Sequence, residues 1–298
     1  MILAAIGSLR PRQWTKNLLV FAGVIFSQHA GDSQVLLRAF AGFLAFSLLS
    51  GSVYVLNDLT DVEADRQHPR KRLRPIASGR LPAPVAWGML PILWAIVGGL
   101  VMWIGGPFAL VAGAYLATNL AYTFWLKHFV ILDVFLIANG FMLRAIAGVV
   151  LVRQAVAPAR VELSPWLLVC TFFGALFLGV SKRRRELVNA GANASGQRAV
   201  LRSYTPELLE VMLTVSAACT ILSYALYTIW PATVAKFHTE ALLFTVPFVA
   251  YGVFRYVHLV RVSETSEDPS AVLLGDRPIQ ATVLLFLGTV AWVLYAGR

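Results

Sequence analysis

Long apolar runs dominate the chain, and short segments rich in charge, proline and glycine separate them. A helix that crosses a bilayer needs about 20 mostly apolar residues, so runs of this length are candidate spans. The break at Gly105, Gly106 and Pro107 makes two of these runs a tight hairpin. The pattern predicts nine transmembrane helices, at residues 14–30, 35–56, 84–104, 107–126, 129–151, 164–181, 208–230, 238–259 and 279–296.

Composition supports this interpretation. Of the 298 residues, 58% are hydrophobic and 13% are charged, and the mean hydropathy is +0.71. These values exclude an ordinary soluble protein. We therefore expect an all-α integral membrane protein in which one bundle of nine helices, residues 1–298, forms a single domain with a polar cavity on the cytoplasmic side.

The basic residues are distributed unevenly between the two ends of the predicted spans. Of the 25 Lys and Arg residues, 19 fall on one side and five on the other, while Arg144 lies inside a span. Basic residues near span ends stay on the cytoplasmic side. The N-terminus and the long charged loops are therefore predicted to face the cytoplasm of a bacterial-type inner membrane, with the C-terminus outside and the active site on the cytoplasmic side.

An acidic segment, NDLTDVEAD, follows the second span. Asp58, Asp61 and Asp65 would lie within roughly 60° of one another on a helix, whereas Glu63 points away. Carboxylates so close together repel unless a cation lies among them, and oxygen ligands suit Mg²⁺. The spacing predicts a magnesium site at these aspartates with Asn57 as an added ligand; the alternative is a solvated loop whose acids balance its basic residues.

A basic segment follows the acidic one, and Pro69, Pro75 and Pro82 interrupt it. Prolines disfavour regular helix, so this segment is expected to fold as a loop over the aspartates, with guanidinium groups placed to bind phosphate. A topology signal that also attracts anionic lipid explains any single arginine equally well. The segment's basic residues are Arg66, Arg70, Lys71, Arg72, Arg74 and Arg80.

The second charged loop begins with SKRRREL and is basic where an enzyme with two metal clusters would need more carboxylates. Lys182 and Glu186 form an i, i+4 pair, and Arg183 lies on another face of the same helix end. Basic groups here suit a substrate anion without a bridging metal, such as a phosphate monoester. We expect Lys182, Arg183, Glu186 and Tyr204 to bind substrate; a positive-inside anchor is the alternative.

Other polar residues lie at span ends or inside a span. Lys16 and Asn17 begin the first span, and Tyr122 and Lys127 end the fourth, so all four are candidates for substrate binding. Within the fifth span Asp133 and Arg144 are about 16 Å apart along the helix axis, too far for a direct pair. Each charge therefore needs its own partner. For Arg144, a substrate contact and a structural link between helices both remain open.

The NDLTDVEAD segment and the nine spans together resemble the UbiA superfamily of intramembrane prenyltransferases, whose first Asp-rich motif has the form NDxxDxxxD. The superfamily's second Asp-rich motif is replaced here by SKRRREL. The chain is similar instead to the decaprenyl-phosphate phosphoribosyltransferase branch, through RPRQWTKNLLVF, HPRKRLRPIASG, YTFWLK, LDVF, GFMLRAIAGV, KRRREL and DRP.

That resemblance implies a Mg²⁺-dependent reaction of 5-phosphoribosyl 1-diphosphate with a polyprenyl phosphate, in an early step toward lipid-linked pentose donors. Asp58 and Asp61 would hold the metal, and Asn57 and Asp65 would support it. The expected phosphate contacts are Lys16, Arg66, Arg72, Arg74, Lys127, Lys182 and Arg183.

Two alternative functions remain, one with a different reaction and one in a different class of protein. A prenyltransferase acting on an aromatic acceptor would need a second acidic cluster, which the sequence lacks. An ion- or anion-coupled transporter could use Asp133 and Arg144, but such proteins tend to show internal repeats, and none is visible here. No nucleic-acid partner is expected, and the assembly state, a homo-oligomer included, is left open.

Overall fold

The computed structural model describes residues 1–67, 71–156, 164–190, 199–262, 272 and 275–295, and these residues form helices, turns and loops without a β-strand. They fall into two compact units. Unit 1 is Met1–Leu126 with Gly140–Glu162, and unit 2 is Lys127–Asn139 with Leu163–Arg298. The single domain expected from the sequence stays a prediction.

The described residues of the first half of the chain form six α-helices, and a seventh, α7, includes residues of both units. They are α1 (Ile2–Ser8), α2 (Val20–Phe26), α3 (Ser33–Thr60), α4 (Val62–Gln67), α5 (Ala83–Ile104), α6 (Gly106–Phe124) and α7 (Leu132–Ala155). Short 3₁₀ helices occupy Pro11–Leu19, Lys71–Leu73 and Leu126–His128.

The rest of unit 2 contains α8 (Pro165–Ala190), α9 (Pro206–Ile229), α10 (Pro231–Phe237), α11 (Val246–Val262) and α12 (Arg277–Tyr295). Two 3₁₀ helices lie at Ala199–Ser203 and Ala241–Thr245. Within unit 2, α8 packs along α9, and α11 packs against α9 and α12. Aromatic contacts such as the edge-on pair Phe177 and Tyr256 join α8 to α11.

Seven helical segments of the described chain are long and apolar enough to cross a bilayer: Ser33–Thr60, Ala83–Ile104, Leu132–Ala155, Pro165–Asn189, Pro206–Ile229, Ala241–Val262 and Arg277–Leu294. Each matches one of the nine predicted spans, and the chain is an integral membrane protein. The last predicted span ends at residue 296, outside the described residues. The predicted span 107–126 is helical in α6, but Tyr115, Asn119 and Tyr122 lower its hydropathy, so its crossing stays a prediction.

The predicted span 14–30 is only partly α-helical, and its crossing of the membrane stays a prediction. A 3₁₀ helix extends to Leu19, and the α-helix that follows ends at Phe26. The buried Asn17 side chain donates to Ser47 and Ser50 of α3 at 3.1 and 3.4 Å, which gives this segment polar partners that an apolar span would not need.

The α2 helix and α7 meet backbone to backbone at two glycines. A Cβ atom on Gly23 would lie 2.3 Å from the Gly148 carbonyl carbon, and one on Gly148 would lie 2.2 Å from the Val20 oxygen. Larger residues at either glycine would push α2 away from α7.

Unit 1 is organised around α3, because 72% of its most apolar window is buried and it contacts α2, α5 and α6. At the end of α3 that carries the aspartates, Val55, Leu56 and Leu59 form an apolar cluster with Leu9, before the first 3₁₀ helix, and Ile76, in the basic loop. This cluster holds the N-terminal segment and the basic loop beside the acidic residues.

Candidate active site

The predicted aspartate stripe spans the junction of α3 and α4. The α3 helix ends at Thr60, but the Asp61 amide still donates to the Asn57 carbonyl at 3.0 Å, and the Asp65 amide donates to the Asp61 carbonyl at 2.8 Å. Helical spacing is therefore kept from Asn57 to Asp65. This register brings the Asp58 and Asp65 carboxylates to one place.

Two arginines neutralise these carboxylates. The Arg74 Nη1 atom lies 2.6 Å from Asp65 Oδ2 and 3.0 Å from Asp58 Oδ1, and Arg10 Nη2 lies 2.5 Å from Asp58 Oδ1. Both aspartates are only 2% exposed, whereas each arginine side chain is 29% exposed. Carboxylates so deeply buried need paired cations. We call these four residues the acid–arginine cluster.

Arg10 reaches this cluster because the N-terminal segment folds back on α3. Its backbone adopts a left-handed conformation, with φ 51°, just before the first 3₁₀ helix. Leu9 packs in the apolar cluster and its carbonyl accepts from Trp14 Nε1 at 3.1 Å, while the Arg10 guanidinium lies over the Tyr54 ring. Sequence reasoning counted Arg10 only as a topology charge and missed it as a site residue.

Arg74 is positioned by the folded basic loop. The Arg74 amide donates to the Lys71 carbonyl, and the Arg74 carbonyl accepts from Ser78, both at 2.9 Å. Gly79 turns the chain at φ +76°, and the fully buried Leu81 side chain then anchors it. The loop that proline content predicted is therefore present, and it carries Arg74 onto the aspartates.

The cluster's chemistry can be compared with that of a magnesium site. Among the described residues there is no group of three or more His, Cys, Asp and Glu side chains placed to hold a metal. Asp58 and Asp65, however, point one oxygen each at the same Arg74 nitrogen, so they already converge on one cation. Because Mg²⁺ commonly uses one or two carboxylates and completes its shell with waters and substrate phosphates, this oxygen pair fits it.

The other residues predicted for this end of α3 lie around the cluster. Asn57 and Asp61 are half-buried. Arg66 is exposed and bonds Glu63 at 2.8 Å and the Ala77 carbonyl at 3.4 Å. Arg72 is exposed as well, and Arg70 lies outside the described residues.

Lys16, Tyr122 and Lys127, the candidates at span ends, are all half-buried. Lys16 lies in the first 3₁₀ helix, Tyr122 in the last turn of α6 and Lys127 in the 3₁₀ helix that follows α6.

Arg144 is buried in unit 1 among neutral partners. Its Nε donates to Asn17 at 2.7 Å, one Nη to the Gly140 carbonyl at 2.9 Å, and the other to the Tyr115 hydroxyl at 2.8 Å. Its guanidinium also lies near the Tyr115 and Phe141 rings. Arg144 thus links α7 to α6 and the N-terminal segment, and its predicted contact with substrate stays a prediction.

The basic residues at the end of α8 form a second ion-pair cluster, in unit 2. Arg183 donates to Asp133 at 2.7 Å and to Glu186 at 2.5 Å, and the Tyr204 hydroxyl donates to the other Asp133 oxygen at 2.6 Å. Arg183 is 1% exposed and Asp133 is fully buried. We call Asp133, Arg183, Glu186 and Tyr204 the Arg183 cluster.

Two further contacts belong to this cluster. The Tyr204 hydroxyl accepts a hydrogen bond from the Ile131 amide at 2.7 Å. The Ile131 backbone has a positive φ of 68°. Burial, followed by the hydrogen bond to Asp133, raises the pKa of Tyr204 above its usual value. Lys182 lies 3.9 Å from Glu186, as the i, i+4 spacing predicted, and its side chain is 41% exposed.

Comparison with known proteins places this arrangement in a family. Residues 17–280 match the model of the UbiA prenyltransferase family. The chain belongs to the UbiA family. The match spans residues of both compact units and includes the aspartate stripe and the KRRREL segment.

Two curated UbiA relatives are similar over almost the whole chain. A protein of Mycolicibacterium smegmatis named decaprenyl-phosphate phosphoribosyltransferase is 33% identical over 99% of this chain and 93% of its own length. The Corynebacterium glutamicum protein of the same name is 35% identical over 97% of this chain and 86% of its own. This chain is accordingly a UbiA-family transferase.

Solved UbiA structures support the fold. The UbiA homologue of Archaeoglobus fulgidus bound to GPP and Mg²⁺ superposes with a TM-score of 0.71 over 98% of this chain and 99% of its own, at 18% identity. At that identity the likeness establishes the UbiA fold alone.

Proposed function

We propose that this protein transfers the 5-phosphoribosyl group of 5-phosphoribosyl 1-diphosphate to a polyprenyl phosphate, decaprenyl phosphate in the relatives' names, and releases diphosphate. The observation that carries this proposal is the similarity, over 97–99% of the chain, to two proteins named for that activity. The product would serve the synthesis of lipid-linked pentose donors.

The acid–arginine cluster supports the proposal chemically. When diphosphate leaves C1 of the ribose, negative charge builds on the leaving group. A Mg²⁺ ion held by Asp58 and Asp65, with Asp61 and Asn57 beside them, would supply the electrophile that stabilises this charge. Archaeal UbiA structures solved with Mg²⁺ or Cd²⁺ fit the use of a divalent cation in this fold.

The acceptor needs no general base, because a lipid phosphate is already ionised at neutral pH and can attack C1 directly. The proposed role of the remaining basic residues is to hold the substrate anions. We assign this role to the accessible or half-buried members of the predicted set: Lys16, Arg66, Arg72, Lys127 and Lys182.

The Arg183 cluster argues against a second metal-bound diphosphate at the end of α8. Of its two carboxylates, Asp133 is paired with Arg183 and Tyr204, and Glu186 is paired with Arg183 and Lys182. Arg183 itself is enclosed, so we propose that it positions these groups. Catalysis is proposed to occur on the cytoplasmic side of the inner membrane, with the N-terminus inside, as the distribution of basic residues predicts.

The test is a transferase assay on the purified full-length protein with labelled 5-phosphoribosyl 1-diphosphate, a polyprenyl phosphate and Mg²⁺. We expect labelled phosphoribose to enter the lipid extract, and omission of Mg²⁺ or of the polyprenyl phosphate should abolish it. Prenylation of an aromatic acceptor from a prenyl diphosphate, with no phosphoribosyl lipid formed, would overturn the proposal.

A further inference from the structure

The acid–arginine cluster is already electrically balanced. Two buried carboxylates face two guanidiniums, at distances of 2.5–3.0 Å. A divalent cation that binds Asp58 and Asp65 must therefore compete with Arg74, which bridges them, and with Arg10, which holds Asp58. Two monovalent side chains carry the same total charge as one divalent ion.

The two sides of this cluster differ in how firmly they are held. Asp58 lies in the last turns of α3 and Asp65 in α4, both almost fully buried. The arginine side chains are 29% exposed, and they come from the N-terminal segment and from a loop. The guanidiniums can therefore turn toward water and be hydrated when another cation takes their place, whereas the carboxylates stay where they are.

We propose that Arg10 and Arg74 are exchangeable positioning residues: they hold the Asp58 and Asp65 carboxylates together until a divalent cation displaces them. Arg10 thereby becomes a further residue of the active site. Because the displaced guanidiniums need new negative partners, the exchange links entry of the metal to arrival of an anion at the same place. This inference rests on the proposed metal-assisted function only for the identity of the cation.

The primary test measures binding of Mn²⁺ alone to the purified full-length protein by electron paramagnetic resonance, without substrate. Removing a competing cation leaves the carboxylates more negative, so Arg74→Gln should lower the apparent Kd for Mn²⁺ by at least about tenfold. Arg10→Gln should lower it less, because Arg10 contacts one carboxylate only. A residue needed only for folding would have the opposite effect or none.

Matched variants test whether a change in Mn²⁺ affinity comes from the charge of the arginine. Arg74→Lys and Arg10→Lys keep the competing charge and should bind Mn²⁺ close to wild type. Arg12→Gln removes an exposed arginine two residues from Arg10 and should change nothing. Unchanged or weaker Mn²⁺ binding in both Arg74→Gln and Arg10→Gln would overturn the proposal.

Thermal stability gives a second readout. Without Mn²⁺, Arg74→Gln should melt below wild type because two buried carboxylates have lost a counterion; with saturating Mn²⁺ this deficit should shrink, since the ion replaces the lost charge. A deficit of equal size with and without Mn²⁺ would mean a purely structural arginine.

The wild-type protein can be tested without any substitution, should the variants fail to fold. Phenylglyoxal modifies exposed arginines, and mass spectrometry locates the label. Mn²⁺ should increase labelling of Arg10 and Arg74 and leave Arg12 unaffected; constant or reduced labelling of both would contradict the exchange. These measurements use no phosphoribosyl substrate, so they can succeed or fail independently of the transferase assay.

Discussion

The acid–arginine cluster and the Arg183 cluster use the same residue types in opposite ways. In the first, both aspartates are buried and both arginines remain 29% exposed. In the second, Arg183 is 1% exposed between Asp133 and Glu186, and the Tyr204 hydroxyl covers the remaining Asp133 oxygen. An accessible arginine can be displaced from its carboxylate by a metal cation or can bind a substrate anion, whereas an enclosed arginine stays paired with its carboxylates. Exposure of the cation, rather than the motif, is therefore the property by which we propose the acid–arginine cluster, and not the Arg183 cluster, as the active site.

The largest expected effect is on activity, at the acid–arginine cluster. Asp58→Asn should reduce phosphoribosyl transfer by at least about 100-fold, because it removes the negative charge from one of the two side chains that would hold the cation. The protein should stay folded, since Arg10 and Arg74 can be hydrated when their partner is lost. The measurements are the initial rate at saturating Mg²⁺ and the apparent Tm.

Asp61→Asn tests the third predicted ligand in the same assay and should also suppress the metal-dependent rate. Glu63→Gln is the control, because Glu63 is exposed and bonded to Arg66. If Asp58→Asn instead unfolds most of the protein and the molecules that remain folded keep their activity, the proposed difference in role between the acid–arginine cluster and the Arg183 cluster is wrong.

The second prediction concerns stability at the Arg183 cluster. Arg183→Met leaves Asp133 buried without its cation, and breaking a buried pair in this way costs about 3–5 kcal/mol. We expect a large fall in apparent Tm in detergent or loss of monodisperse protein. Lys182→Met, one residue away, should cost less than about 1 kcal/mol because its pair with Glu186 is long, at 3.9 Å, and the Lys182 side chain is 41% exposed.

The transferase assay should also distinguish Lys182 from Arg183, but here the larger effect is expected at Lys182. Lys182→Met should weaken substrate affinity if Lys182 holds a substrate phosphate, which would appear as a higher KM. A stable Arg183→Met protein with altered KM alone would show that Arg183 binds substrate, as the basic loop first suggested.

Some features of the two clusters could be predicted from the sequence alone. Local spacing was sufficient for the helical register of Asp58 and Asp65 and for the Lys182–Glu186 pair, since neighbours on a helix are set by its geometry. The spacing of Asp133 and Arg144 along one helix also showed that the two charges need separate partners. Long apolar runs predicted seven segments that the structure supports as spans.

Partners distant in the chain could not be predicted. Arg10 meets Asp58 across 48 positions, Arg183 meets Asp133 across 50, and Arg144 meets Asn17 across 127. Such pairs depend on how helices pack, and no periodicity in one segment encodes them. For the same reason the sequence, which predicts that Arg183 binds substrate, could not show that this side chain is enclosed.

The third prediction has a smaller effect and concerns Tyr204, whose hydroxyl donates to Asp133 and accepts from Ile131. Tyr204→Phe should destabilise the protein by about 1–2 kcal/mol. The pKa of Tyr204 is raised in the folded state, so its contribution is complete below the unfolded pKa of about 10 and falls as pH rises above it. The gap in Tm between wild type and Tyr204→Phe should therefore narrow above pH 10; a gap that widens there would contradict this assignment.

The smallest effect is expected at the half-buried ion pair of Arg255 and Asp276, which serves as a reference for both clusters. Arg255 donates to Asp276 at 2.9 and 3.3 Å, and these bonds hold the pKa of Asp276 below its usual value. The pair therefore stabilises the fold above the unfolded pKa of about 3.9, and this contribution is lost as pH falls through the lower folded pKa. Asp276 also accepts from the Ile279 amide as the cap of α12, and because asparagine caps helices equally well, Asp276→Asn removes the charge and keeps the cap. The variant should melt slightly below wild type at pH 7, by less than Tyr204→Phe, and the difference should shrink as pH falls below about 4. A deficit as large as that of Arg183→Met would mean that exposure does not set the strength of these ion pairs, and the contrast between the two clusters would lose its basis.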